Sequence, residues 1–283
     1  MDRRRFVLSS GVALVMAGCK SRSRGRALRV SMIPTTDPGK IVRQSQPLVE
    51  YLQRETGAAI DFTVPTSYAA VVESITSNKV DIAYLGGFTY VQASSRADVK
   101  PLVQRLRDKN FHSLFITQPN STVRSLADLK GHSFAFGDIN STSGHLMPSY
   151  YMREQKVDPA VIEKAIFTGG HDATALAVAN RRVDAGAMDE LVFQQMIKSG
   201  KLSDGQVRVF YTTPPFYDYV WVARGGLDPG LMQRFSDALL KLDASNPKDK
   251  PLLELLNAEK YAVANASDYS QLRQAAKDDG LLR

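Results

Sequence analysis

The sequence predicts an α/β protein of two lobes facing a cleft. Three observations predict it. Short apolar runs alternate with segments of helical apolar spacing along most of the chain, which implies sheets with helices packed on them. Two extended apolar runs, Phe111-His112-Ser113-Leu114-Phe115-Ile116-Thr117 and Tyr219-Val220-Trp221-Val222-Ala223, divide that alternation into two blocks and read as crossovers between lobes. Between them, three consecutive hydroxyls, Ser141-Thr142-Ser143, precede Gly144 where a strand ends and a helix begins.

The elements follow in order. Leu28-Arg29-Val30-Ser31-Met32-Ile33 is a strand closed by Pro34, and residues 47–55 form a helix ended by Gly57. Ala59-Ile60-Asp61-Phe62-Thr63-Val64 is a strand closed by Pro65. A helix over 68–78 follows, with Val71, Val72 and Ile75 as its apolar stripe. Val80-Asp81-Ile82-Ala83-Tyr84-Leu85 is a buried strand ending at Gly86-Gly87; Tyr90 opens a helix and 99–106 is a strand. Beyond the first crossover come a strand over 133–136, the hydroxyl turn and a helix over 146–154. Then come strand 166–168, Gly169-Gly170-His171-Asp172, helix 173–180, strand 185–188, Asp189-Glu190, helix 191–198 and strand 207–212. Helices over 229–242, 252–257 and 269–277 complete the first lobe. The lobes are therefore residues 27–112 with 221–283, and residues 113–220. Each is expected to hold a mixed or mostly parallel sheet flanked by helices. Ligands in such sheets sit beyond the carboxyl ends of strands, where Ser141–Ser143, His171 and Asp189 all fall.

Residues 1–18 read as a signal peptide: Arg3-Arg4-Arg5, a short apolar run, then small residues. The run is shorter than the about 20 residues a membrane span needs. The arginines fit either a twin-arginine signal or an ordinary basic leader. Cys19 is the only cysteine, so an intrachain disulfide and multi-cysteine metal sites are excluded. Residues 19–26 read as a flexible tether. The net charge of +7 belongs mostly to this part. Removing residues 1–18, with three Arg and one Asp, lowers it to +5, and Lys20, Arg22, Arg24 and Arg26 hold four of those five. A nearly neutral body removes most of the support for nucleic-acid binding.

The hydroxyl turn supports two readings. Ser141, Thr142 and Ser143 can cap the following helix, or donate to an anion placed at its N-terminus, where free N–H groups and the helix dipole favour negative charge. Three hydroxyls exceed what a cap requires. No Arg or Lys stands in the turns at the strand ends, so an anion there would be held by neutral donors. Each hydrogen bond to a charged group contributes about 1.5–3 kcal/mol, and four or five suffice for micromolar binding, about −8 kcal/mol. Carboxylates nearby could accept from a protonated oxygen or pair with an ammonium.

These residues resemble a family: the periplasmic phosphate-, phosphite- and phosphonate-binding proteins of ABC importers, in lipoprotein form. The resemblance is carried by Tyr68-Ala69-Ala70-Val71, Val80-Asp81-Ile82-Ala83-Tyr84-Leu85-Gly86 and Ser125-Leu126-Ala127-Asp128-Leu129-Lys130-Gly131. Ser141-Thr142-Ser143-Gly144, Gly169-Gly170-His171-Asp172-Ala173 and Val183-Asp184-Ala185-Gly186-Ala187 continue it, in that order and spacing. It implies a type II periplasmic binding protein fold with the ligand in the interlobe cleft. It implies a phosphorus oxyanion held by Tyr68, Ser141, Thr142, Ser143 and His171, with Asp189 or Glu190 and Asp218 as acidic neighbours. Tyr68, Phe88 or Tyr90 could pack on a P–H or P–C group. Val15-Met16-Ala17-Gly18-Cys19 resembles a lipobox, implying lipidation at Cys19 and a lipid-anchored protein of the periplasm or cell surface. The implied partners are an ABC permease and ATPase; a monomer without cofactor or metal is expected. Read singly, Tyr68 fits a core position, His171 or Asp189 a helix cap, and Asp218 a surface ion pair, while Asp172 reads as a cap.

Two other classes compete. One is an enzyme acting on a phosphonate, yet the chain has no Gly-x-Ser-x-Gly elbow, no zinc-spaced histidines among its four, and no phosphate loop with Lys. The other is an adaptor of the same fold that presents its closed form to a membrane sensor kinase.

Overall fold

The computed structural model describes residues 26–282; the signal peptide and the lipobox cysteine lie outside the described residues. The first sheet takes β1 (Leu28–Met32), β2 (Ile60–Thr63), β3 (Ile82–Leu85) and β4 (Val99–Arg105) before the chain leaves it. Between them lie α1 (Pro38–Thr56), α2 (Tyr68–Thr76) and α3 (Gly87–Arg96). The second sheet follows: β5 (Ser113–Thr117), β6 (Ser133–Phe136), α4 (Met147–Glu154), β7 (Lys164–Phe167), α5 (His171–Ala179), β8 (Ala185–Asp189), α6 (Glu190–Lys198) and β9 (Arg208–Thr212). The chain then returns through β10 (Val220–Arg224), α7 (Pro229–Leu240), α8 (Lys250–Glu254), β11 (Tyr261–Val263) and α9 (Ser270–Asp278).

The strand orders are β11-β4-β10-β3-β1-β2 and β7-β6-β8-β5-β9. Both sheets are mixed, because the strands at the crossovers run against their neighbours. β10 is antiparallel to β3 and β4, and β5 to β8 and β9, whereas β1, β2 and β3 run parallel, as do β6, β7 and β8. The second sheet is covered on both faces, and its side chains alternate accordingly. Leu114, Ile116 and Met188 join Ala175, Val178 and Met196 on one face; Phe115 and Ala187 join Phe134, Phe136 and Met152 on the other.

Three elements differ from their sequence expectation. The helix expected over 47–55 begins at Pro38, with Asp37 accepting from Lys40 N–H and Pro38 in its first turn. Pro47 is exposed inside it; it reads as a helix start in sequence, since the first turn is where proline is tolerated best. α3 begins at Gly87 rather than Tyr90, and that shift matters for the site. β11, three residues at a sheet edge, carried too short a pattern to register.

The two crossovers are tied by an antiparallel bridge, Phe111 N–H to Phe216 O and Phe216 N–H to Phe111 O, each 3.0 Å. Beneath them lies a buried ion pair, Arg105 with Asp108, in which Arg105 Nε donates to Asp108 Oδ2 at 2.8 Å. The Arg105 guanidinium lies 4.8 Å from the centre of the Tyr219 ring. Tyr219 is stacked on Tyr84 at 5.3 Å with 7° between the planes. The return strand is thereby clamped where it enters the cleft.

Candidate functional site

The chain leaves β6 through Gly137 and enters a π-helical turn, Thr142–Leu146, before α4. Leu146 N–H donates to Ser141 O at 3.0 Å, a five-residue step. Ser141 Oγ caps the turn by accepting from Gly144 N–H at 3.0 Å. Gly144 admits no side chain: a Cβ there would lie 2.9 Å from His171 Cε1, 3.0 Å from Ser141 Oγ and 3.1 Å from Gly137 Cα. The glycine that follows the three hydroxyls is thus what lets the turn press against the histidine.

His171 opens α5 and is buried. Its Nδ1 accepts from Asp189 N–H at 3.2 Å, so Nε2 carries the proton and lies 3.5 Å from Ser141 Oγ. Burial lowers the His171 pKa, against the pull of Asp189, and the ring is a neutral donor. Tyr68 opens α2 behind its cap Ser67. Burial holds its phenol well above the usual range, with Asp138, Asp189 and Asp218 adding to that effect and Ser141 opposing it. Tyr68 therefore stays an O–H donor.

The early start of α3 brings a second helix N-terminus to the site. Gly87 N–H donates to Asp218 Oδ1 at 3.0 Å, and Phe88 N–H donates to Thr142 Oγ1 at 3.0 Å. Gly86 lies against both acceptors, 3.0 Å from Thr142 Oγ1 and 3.3 Å from Asp218 Oδ1 to a Cβ built on it. Asp218 is buried and pairs with no lysine among the described residues. Burial pushes its carboxyl up to about 8, against the Gly87 and Thr142 hydrogen bonds. That favours the protonated form at neutral pH, and its Oδ2 has no partner among the described residues. Ser143 Oγ is likewise buried without a partner.

Asp189 is used differently. Oδ1 accepts from Leu191 N–H at 2.6 Å and Val192 N–H at 2.9 Å, capping α6, while Oδ2 accepts from Tyr219 O–H at 2.7 Å. Glu190 is turned to the crossover, where its Oε1 accepts from His112 N–H at 3.2 Å. Asp172 accepts from Ala173 N–H, and Tyr90 packs edge-on against Tyr269 at 4.9 Å.

Tyr68, Ser141, Thr142, Ser143, His171, Asp189 and Asp218 are each at most 2% exposed. The first-lobe elements meet the second directly over them. Besides Phe88 to Thr142 and Tyr219 to Asp189, Gln92 Nε2 donates to Asn140 Oδ1 at 2.9 Å and His171 N–H to Thr35 O at 3.2 Å. Arg153 pairs with Asp279 beside them. Sequence reasoning placed the hydroxyls and the histidine in the cleft. It missed Tyr219, whose only signal was its place at the crossover, and the Gly87 and Phe88 N–H groups, which the Gly86-Gly87 pair could have indicated.

Two α/β lobes joined by paired crossovers and closed on a ring of buried donors define a solute receptor of the periplasmic binding protein class. Comparison with known proteins agrees. Residues 30–269 match the family described as ABC transporter, phosphonate, periplasmic substrate-binding protein. The chain is 27% identical over 285 residues to the probable ABC transporter phosphite binding protein PhnD1 of Prochlorococcus marinus, covering 96% of each. It is 29% identical over 246 residues to the phosphate-import protein PhnD of Mycolicibacterium smegmatis, covering 79% of this chain and 77% of that one. The structure of Prochlorococcus marinus PhnD1 in complex with methylphosphonate matches with a TM-score of 0.84 and 28% identity, over 90% of this chain and 98% of that one. The chain belongs to the periplasmic substrate-binding proteins of phosphonate ABC transporters, a family of transport proteins.

Proposed function

We propose that this chain captures a compact phosphorus oxyanion, namely phosphite, phosphate or methylphosphonate, and delivers it to an ABC permease and its ATPase. One observation carries the reading: within the enclosed ring, Ser143 Oγ and Asp218 Oδ2 are buried polar groups with no partner among the described residues. Buried donors are expected to be paired, and an oxyanion would pair both. His171 Nε2–H and Tyr68 O–H add two more donors, and α3 adds its dipole. All are neutral, so recognition rests on direction and desolvation rather than on ion pairing.

The state of the carboxyls favours a small ligand. A primary ammonium needs acceptors, but both Asp189 oxygens are engaged, Glu190 serves His112, and Asp218 carries its own proton. Asp218 instead donates to an anionic oxygen. The relatives named for phosphite and phosphate, and the relative bound to methylphosphonate, support the same range.

The working motion is closure of the second sheet and its helices on the first. The chain acts as a monomer without catalysis, tethered through lipid at Cys19 after export by the twin-arginine or the general route. A thermal-shift panel tests ligand capture: a ligand at one hundred times its Kd adds about 2.7 kcal/mol. No rise in Tm with any of the three anions would refute the assignment. Loss of membrane association in Cys19→Ala tests the anchor; a membrane-bound variant would refute it.

A further inference from the structure

A cavity of about 50 Å³ is bordered by Tyr219 and Asp189 but not by His171, Tyr68 or the hydroxyl turn. Its lining includes Tyr84, Ile41, Val192 and Thr35 as well as Tyr219 and Asp189 themselves. A water needs about 10–15 Å³ by this measure, so the space would admit a short chain. It continues into a broader interlobe groove, with Gln44, Leu191, Gln195 and Leu255 lining both. Tyr84 brings a buried hydroxyl that has no protein partner. Asp189 and Tyr219 thus border two spaces. On one side Asp189 N–H meets His171. On the other they wall the cavity.

We propose that the Tyr219–Asp189 hydrogen bond is a partition that sets the length of the fourth substituent on phosphorus, and that the cavity behind it is a latent subsite for an alkyl chain. This rests on the oxyanion reading above. The partition ties the return crossover to the second sheet, since the Tyr219 ring is stacked on Tyr84 of the first sheet and Asp189 ends β8. It therefore forms on closure, and a substituent that reaches between the two groups must break a 2.7 Å hydrogen bond to a buried carboxylate. Methyl, hydrogen or hydroxyl substituents stop short of it. The lining is mixed: Met32, Ile41 and Val192 give it apolar surface, and Lys40, Arg105 and Gln195 give it polar surface beside the Tyr84 hydroxyl, which suits a short alkyl chain with a polar end.

The test is a series of methyl-, ethyl- and propylphosphonate titrated into the purified protein and into Tyr219→Leu. The native protein should bind methylphosphonate at least about ten-fold more tightly than propylphosphonate, the scale of one or two methylenes in a fixed pocket. Tyr219→Leu should reduce that ratio at least about ten-fold. A native protein indifferent to chain length, or a Tyr219→Leu protein that binds methylphosphonate with the native ratio, overturns the proposal. Tyr219→Phe keeps the ring stacked on Tyr84 and removes only the hydrogen bond; it covers the case in which Tyr219→Leu fails to fold, and an unmoved ratio there overturns the proposal too. Failure of the native protein to bind any phosphorus oxyanion would instead sink the underlying reading, and is separately visible.

Discussion

Ser143→Ala separates a ligand donor from a structural hydroxyl. Ser143 Oγ is buried and makes no hydrogen bond among the described residues. Its removal breaks nothing in the fold and takes away a buried polar group that would otherwise need a partner, an unfavourable term of about 1–3 kcal/mol where no partner is found. The empty variant should therefore be as stable as the native protein or more so. Binding should suffer: one hydrogen bond to a charged group, about 1.5–3 kcal/mol, is about ten- to 150-fold in Kd. Ser141→Ala is the control. That hydroxyl accepts from Gly144 N–H at the start of the turn, so its loss should lower stability by about 1 kcal/mol as well as affinity. Denaturant unfolding of the empty proteins and calorimetric titration with the tightest anion read both quantities. A Ser143→Ala protein that loses stability but keeps native affinity would refute the assignment of the free hydroxyl to ligand.

Further outcomes follow from the same geometry. Asp218, pushed up to about 8, keeps its proton while an unfolded chain loses it near pH 4, so stability should fall as pH rises from about 4 to about 8. Asp218→Asn should remove that slope and the extra loss of affinity above pH 8, and identical pH profiles for the two proteins would contradict it. Gly144→Ala drives a methyl into His171 and Gly137 and should weaken binding at least about ten-fold, the loss of one charge-assisted bond; native affinity would show that the His171 contact is dispensable. Asp81 is raised by burial but held down to about 2 by the Arg29 side chain and backbone and by Arg224. It contributes about 2 kcal/mol above pH 4 that is lost as pH falls through 2, so Asp81→Asn should unfold at correspondingly lower urea at pH 7, and an unchanged midpoint would refute this.

Much of this architecture is legible in the sequence because it depends on local pattern. Strands such as Ser133–Phe136 are short, apolar and bounded by glycine or polar turns, and the hydroxyl turn announces itself by composition. What is not legible depends on contacts between distant segments. Pro47 looks like a helix start because proline suits a first turn, yet an exposed proline persists within a helix whose apolar face, Ile41, Leu48 and Leu52, is already packed. Gly86-Gly87 reads as a strand stop. Only Asp218, 131 residues later, explains why the Gly87 N–H begins a helix there. Asp189 and Glu190 are equivalent by sequence, and their roles separate only through Tyr219 and His112. The state of Asp218 is likewise set by burial between lobes, which no local pattern encodes.

The most direct test is calorimetric titration of the chain from residue 20 onward with phosphite, phosphate, methylphosphonate and 2-aminoethylphosphonate. Recognition by neutral donors and a protonated Asp218 predicts micromolar or tighter binding of at least one of the first three. It also predicts binding of the aminoalkyl compound at least about ten-fold weaker, since no free carboxylate awaits its ammonium. Preference for 2-aminoethylphosphonate, or no heat with any of the four, would contradict it.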